Sequence, residues 1–174
     1  MEKSIILLSG PVGAGKTTVA SLLVPLLRGP VAYIEGDKFW CFIAKGGESI
    51  GRFNNFKMIM RAITVATLPY VRMGYQVVLD FSVPPWYLDT LLKIMETRNI
   101  PLDYVVIRPG EHVCAARAAA RSVGVIEDYT PYKELYASFD AAQRYIIYDD
   151  EADAAVIADH IIEGLNQGIF RINA

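Results

Sequence analysis

Ile5-Ile6-Leu7-Leu8-Ser9-Gly10-Pro11-Val12-Gly13-Ala14-Gly15-Lys16-Thr17-Thr18 is the stretch from which the rest of the chain can be read. An apolar run short enough for a buried strand leads into G-x-x-x-x-G-K-T, and a helical pattern begins at once. A phosphate-binding P-loop needs that strand–loop–helix context. Gly10, Gly13 and Gly15 allow backbone dihedrals that a Cβ would forbid, so successive N–H groups can point at one anion. A helix opening near Lys16 adds the positive end of its dipole. Lys16 supplies a mobile point charge for β- and γ-phosphates, and the Thr17 hydroxyl is suited to ligate Mg²⁺. Gly10, Pro11, Val12, Gly13, Ala14, Gly15, Lys16, Thr17 and Thr18 are therefore the expected nucleoside-triphosphate site.

The 174 residues suit one domain, expected to span 1–174, with a sizeable core. The chain is 53% hydrophobic, yet no uninterrupted apolar run approaches the ~18 residues of a membrane span. That richness points instead to a sheet covered on both faces. Met1-Glu2-Lys3-Ser4 and the short apolar run behind it do not read as a signal peptide. Cys41 and Cys114 are far apart and lack metal-ligand spacing, so reduced thiols in a cytoplasmic protein are expected. A net charge of −2 without a basic tract argues against a dedicated nucleic-acid binder. His112 and His160 are solitary, each in a helical pattern, and carry no expected catalytic or metal role.

Thr17 to Leu27 reads as a helix, with Pro25 expected to kink or shorten it. Val31–Ile34 is a second strand, with Glu35-Gly36-Asp37 at its carboxyl end, where open α/β sheets place their chemistry. Phe39–Ile43 reads as one or two helical turns and Lys45–Ser49 as a loop. Apolar residues at helical spacing predict a long helix from Asn54 to a stop at Gly74. Gln76–Asp80 is a third strand, and Pro84-Pro85 opens a helix running to about Arg98. Leu102–Ile107 is a fourth strand. The helix starting near Glu111 is expected to carry Arg117 and Arg121 one turn apart on one face. Ser122–Pro131 is a loop, Tyr132–Gln143 helical, Tyr145–Tyr148 a fifth strand, and Glu151 to about Asn166 the closing helix. Such alternation demands a parallel sheet wrapped on both faces.

Asp80 closes its strand in the manner of a Walker B acid that holds Mg²⁺ directly or through water, although a carboxylate there also serves as a turn former. Asp37 is placed to accept the proton of an attacking hydroxyl; Asp in a Gly-Asp turn is also an ordinary structural choice. Arg117 and Arg121 are candidates to neutralise charge on a transferring phosphoryl group, against the plainer reading of a solvated helix face. For Arg52 and Arg61 the solvated surface is the better reading. Phe39, Trp40, Phe42, Phe53 and Phe56 are expected to be mostly core, with one or two rings available to an acceptor pocket.

Gly10–Thr18, Ile34-Glu35-Gly36-Asp37, Val77-Val78-Leu79-Asp80 and Cys114-x-x-Arg117-x-x-x-Arg121 together resemble the small P-loop kinases. Within those the chain is similar to the chloramphenicol phosphotransferase-like and gluconate/shikimate kinase-like groups. The resemblance implies a three-layer α/β/α P-loop NTPase fold with a five-stranded parallel sheet in order 2-3-1-4-5. It also implies ATP and Mg²⁺ as co-substrates and phosphorylation of a hydroxyl on a small molecule. Asp37 would be the acceptor-activating acid, with Arg117 and Arg121 as lid or nucleotide-contacting residues. Ser122–Pro131 contains no Arg or Lys, and no Gly-Asp-x-x-His signature includes Asp37, so the acceptor stays open.

The leading expectation is an ATP-dependent small-molecule kinase using Lys16, Asp37 and Arg117 or Arg121, with Mg²⁺ on Thr17 and Asp80. A nucleotide-binding switch read by a partner protein is the alternative, favoured by the lack of Arg and Lys in Ser122–Pro131 and by the high apolar content. Action on a nucleotide or polynucleotide end would need a basic groove near Asp37, for which Lys38, Lys45, Arg52, Lys57 and Arg61 are a thin supply.

Overall fold

Strand β1 (Ile5–Ser9) is buried along its whole length, because it sits in the middle of the sheet with helices over both faces. The structure is a computed structural model describing residues 4–96, 100–148, 150 and 153–172. In chain order the elements are β1, α1 (Lys16–Leu26), β2 (Val31–Glu35), α2 (Gly47–Ile50), α3 (Arg52–Arg72), β3 (Gln76–Asp80) and α4 (Leu88–Glu96). There follow β4 (Leu102–Ile107), α5 (Glu111–Ala119), α6 (Lys133–Ser138), β5 (Ile146–Ile147) and α7 (Ala154–Gln167). The five strands are parallel in order β2-β3-β1-β4-β5, making a three-layer α/β/α fold.

The period of two along each strand sorts the core into two halves. Ile6, Leu8, Val78, Val105 and Ile107 pack with Val19, Ala20 and Leu23 of α1, Cys114 and Ala118 of α5, and Ile157 and Ile161 of α7. Ile5, Leu7, Val77, Leu79 and Val106 face the other way, onto Ile59, Met60 and Ile63 of α3 and Leu91 and Met95 of α4. Buried Thr64 and Thr67 in α3 satisfy their hydroxyls on the carbonyls of Met60 and Thr64, both at 2.6 Å.

Several expectations are corrected. Pro25 lies in the last turn of α1, which ends at Leu26, one residue short of the expected Leu27. Residues 47–50 form a short helix instead of a loop, started at Gly46 and tied by Asn55, whose Nδ2 donates to the Gly47 carbonyl at 2.6 Å. A 3₁₀ turn at Pro85–Tyr87 precedes α4, and the expected end at Arg98 lies outside the described residues, as does the expected start of the closing helix at Glu151. The helical stretch from Tyr132 breaks into α6 and a 3₁₀ segment, Phe139–Tyr145, and β5 shrinks to two paired residues. Helix α5 stops at Ala119, so Arg121 stands beyond it rather than one turn above Arg117.

The end of the sheet away from the P-loop is closed by a polar network. Asp103, nearly wholly buried, accepts from Ser4 Oγ at 2.8 Å and from Arg171 Nε at 2.8 Å, while Gln76 Nε2 donates to Ser4 Oγ at 2.9 Å. Asp103→Ala removes the buried carboxylate that joins Ser4 to Arg171. It is expected to lower the urea unfolding free energy by about 2 kcal/mol, because Arg171 is partly hydrated. Nucleotide affinity should not change.

Cys41 is exposed and Cys114 buried. Burial pushes the Cys114 thiol up to about 11. One thiol should therefore react with a disulfide reagent in native protein, and the second only on unfolding. The raised value also sets a sign: between about pH 9 and 11 the unfolded chain releases this proton while the native chain keeps it, so stability falls across that window.

Candidate active site

β1 ends where its backbone must turn back to start α1, and three positive-φ glycines make the turn. At Gly13 (φ 83°) a Cβ would stand 2.1 Å from the Cys114 carbonyl oxygen, so the loop can press against α5 only with glycine there. Within the loop Ala14 is buried, and Thr18 lies exposed in the first turn of α1. Lys16 opens α1, and its Nζ donates to the carbonyls of Gly10 (3.2 Å) and Pro11 (3.0 Å) and to Ser82 Oγ (2.9 Å). Burial pushes the Lys16 pKa down, opposed by the charges of Asp80 and Asp37.

Asp80 ends β3 directly beside the loop and is almost fully buried. Its Oδ2 accepts from Thr17 Oγ1 at 2.7 Å and from Tyr33 OH at 3.0 Å. Burial pushes the carboxyl upward, while Lys16 and those two hydroxyls pull it back toward ionisation. Thr17 and Asp80 offer hard oxygens beside the P-loop, which fits Mg²⁺. Among the described residues no cluster of three or more His, Cys, Asp and Glu could hold a metal ion, so such an ion would take most of its ligands from phosphate and water.

Asp37 reaches the site through strand register. Glu35 pairs with Asp80 at the end of β2, and Asp37, in the 3₁₀ turn that follows, lines one cleft with Ser82. Gly36 makes this passage possible, since a Cβ there would lie 2.6 Å from the Phe81 ring. Asp37 then faces a cleft of about 800 Å³ that it shares with Lys16, Ser82 and Arg121. Among the described residues its carboxylate has no hydrogen-bond or ion-pair partner. Arg117 lies elsewhere: its guanidinium sits beside Gly15 of the P-loop, 3.7 Å from where a Cβ would project.

The aromatic residues divide between core and cleft. Phe39, Trp40 and Phe56 are half-buried and pack against the core as expected, while Phe42 and Phe53 are 77% and 58% exposed; three rings rather than one or two, Trp40, Phe53 and Phe56, line the cleft with Phe81 and Trp86. They belong to the 3₁₀ turn after β2 and the first turns of α3, where Trp40 and Phe56 pack on the core and also face the cleft. Phe53 and Trp86 stand 5.9 Å apart, and Phe56 and Phe81 5.7 Å. Arg52 is exposed, as expected, but it also lines the cleft. Its guanidinium lies 4.9 Å over the Tyr132 ring and donates to the Tyr132 hydroxyl, bridging the cleft. Tyr129, near the end of the 122–131 loop, donates to the Val12 carbonyl of the P-loop at 2.7 Å.

Tyr33, Ser82, Trp86, Tyr129 and Tyr132 escaped the sequence reading. Only Ser82 carried a usable signal, two residues past a strand-end acid.

A five-stranded 2-3-1-4-5 sheet with a P-loop after its central strand defines the P-loop kinase fold. A family model for chloramphenicol phosphotransferase-like proteins matches residues 3–163, and the chain belongs to that family. No curated protein matches the chain by sequence. A sugar kinase from Janibacter sp. HTCC2649 superposes with a TM-score of 0.68 at 17% identity, over 94% of this chain and 95% of that one. The Deinococcus radiodurans tunicamycin resistance protein does so with a TM-score of 0.67 at 15% identity, over 99% of each chain. The Mycobacterium tuberculosis APS kinase, in complex with AMPPNP and APS, gives 0.65 at 17% identity, over 95% of this chain and 98% of that one. Among the described residues no helix is long and apolar enough to cross a membrane.

Proposed function

We propose that this chain, as one domain over residues 1–174, transfers the γ-phosphoryl group of ATP to a hydroxyl of a small molecule. The observation that carries the reading is an unpartnered carboxylate, Asp37, facing the same cleft as the P-loop lysine. The loop amides and Lys16 would hold the triphosphate, with Lys16 exchanging its carbonyl and Ser82 contacts for phosphate oxygens. Thr17 and Asp80 would hold Mg²⁺, which supplies charge neutralisation at the phosphates. Asp37 would orient the acceptor hydroxyl and take its proton. Arg121, lining the cleft, and Arg117, beside Gly15, would neutralise charge on the phosphoryl group.

The acceptor reading follows from the walls. Trp40, Phe53, Phe56, Phe81 and Trp86 favour an alcohol with a largely apolar body over a polyhydroxylated or polyanionic one. Free Cys41 and Cys114 suit a reducing cytoplasm. The test is ATP turnover against alcohols graded from sugars and sugar acids to aromatic alcohols, with the phosphorylated product followed by ³¹P NMR. Stimulation by the apolar group is expected; ATP binding with no stimulation anywhere overturns the reading. That second outcome would favour a nucleotide-driven switch, for which Val123, 84% exposed on the 122–131 loop, is the supporting observation.

A further inference from the structure

We infer that Tyr33 is a positioning residue of the Mg²⁺ site, fixing the rotation of the Asp80 carboxylate through its phenolic hydroxyl. The inference rests on the phosphotransferase reading above. Alternation along β2 turns Ala32 and Ile34 toward the α3 side of the sheet, and Val31 toward the α1 side. Tyr33 shares the face of Val31, and its backbone lies opposite Val78, two residues before Asp80. From there the ring reaches along the sheet edge until its hydroxyl donates to Asp80 Oδ2 at 3.0 Å. Thr17 Oγ1 donates to the same oxygen at 2.7 Å. Two donors on Oδ2 set the plane of the carboxylate, and among the described residues Oδ1 accepts no hydrogen bond.

That division of labour suits a metal site. A threonine hydroxyl can give its proton to a carboxylate while its oxygen ligates a cation, and the carboxylate then needs a second restraint to keep one oxygen turned toward the cation and its waters. Tyr33 provides that restraint from β2, an edge strand. A packing role does not account for it: the residue is 39% exposed, and phenylalanine would fill the same space.

Tyr33→Phe keeps the ring and removes the donor. Three quantities are read on the full chain: Mn²⁺ affinity in the presence of ADP by electron paramagnetic resonance, metal-free ADP affinity by calorimetry, and the melting temperature. Mn²⁺ affinity is expected to fall about tenfold, with metal-free ADP affinity held within about twofold and the melting temperature unchanged. Wild-type Mn²⁺ affinity in Tyr33→Phe overturns the inference. A parallel loss of metal-free ADP binding and of melting temperature overturns it as well, since Tyr33 would then act by packing. If wild-type protein itself shows no coupling between Mn²⁺ and ADP, the phosphotransferase reading falls and takes the metal site with it. When that coupling is present and Tyr33→Phe retains it, only Tyr33 loses its role.

Discussion

Asparagine in place of Asp37 is expected to lower kcat for acceptor phosphorylation by about 10²- to 10⁴-fold while leaving ATP affinity unchanged. The size follows from the proposed role. A carboxylate that accepts the hydroxyl proton as the phosphoryl group transfers contributes only when the reaction occurs, so its loss appears in kcat. The structure makes the experiment clean. Asp37 has no hydrogen-bond or ion-pair partner among the described residues, so the amide breaks no internal contact and the melting temperature should hold. Product formation with the best acceptor, measured at saturating ATP, checks it. Unchanged turnover would remove Asp37 from the chemistry and leave the cleft as a binding site alone.

Lys16→Ala is expected to reduce kcat/KM for ATP by about 10³-fold, with weakened binding of the triphosphate. Here the loss falls on both binding and turnover, because the ammonium would contact phosphates in the ground state and follow their charge through the transition state. Lys16→Arg should not restore activity. The ammonium is held by the Gly10 and Pro11 carbonyls and by Ser82, a set of oxygens around one compact charge, and a planar guanidinium fork does not fit it. Circular dichroism should show an intact fold in both variants. Equal ATP affinity in wild type and Lys16→Ala would contradict the triphosphate site.

The P-loop and β1 were legible in the sequence because each rests on local rules. A short apolar run that alternates between two buried faces is a central strand whatever surrounds it, and G-x-x-x-x-G-K-T then leaves the backbone little choice. Asp80 was visible for the same reason, at the end of an apolar strand. Its neighbour Tyr33 was not. Bringing that hydroxyl to Asp80 takes the pairing of β2 with β3 in one register, and a shift by one residue would turn the ring to the opposite face.

The arginines show how a helical spacing can mislead. Arg117 and Arg121 share a face only if the helix continues, and α5 ends at Ala119. Arg117 consequently stays at the P-loop while Arg121 enters the cleft. The aromatic residues after Asp37 were legible only in part. Composition marks a ring as apolar, which holds for half-buried Phe39, Trp40 and Phe56, but it does not say that Phe42 and Phe53 stay exposed or which rings face the cleft.

By itself the sequence determined the alternation of strands and helices, the phosphate loop and the acids at two strand ends. Those features depend on side-chain periodicity and on backbone conformations that few residues permit. Only the tertiary structure decided which side chains meet across the cleft: Arg52 on Tyr132, Tyr129 on the P-loop, Tyr33 on Asp80, and the aromatic walls around Asp37. Each of those contacts joins residues far apart in the chain through strand order, register and the exact stopping point of a helix. No local pattern encodes them.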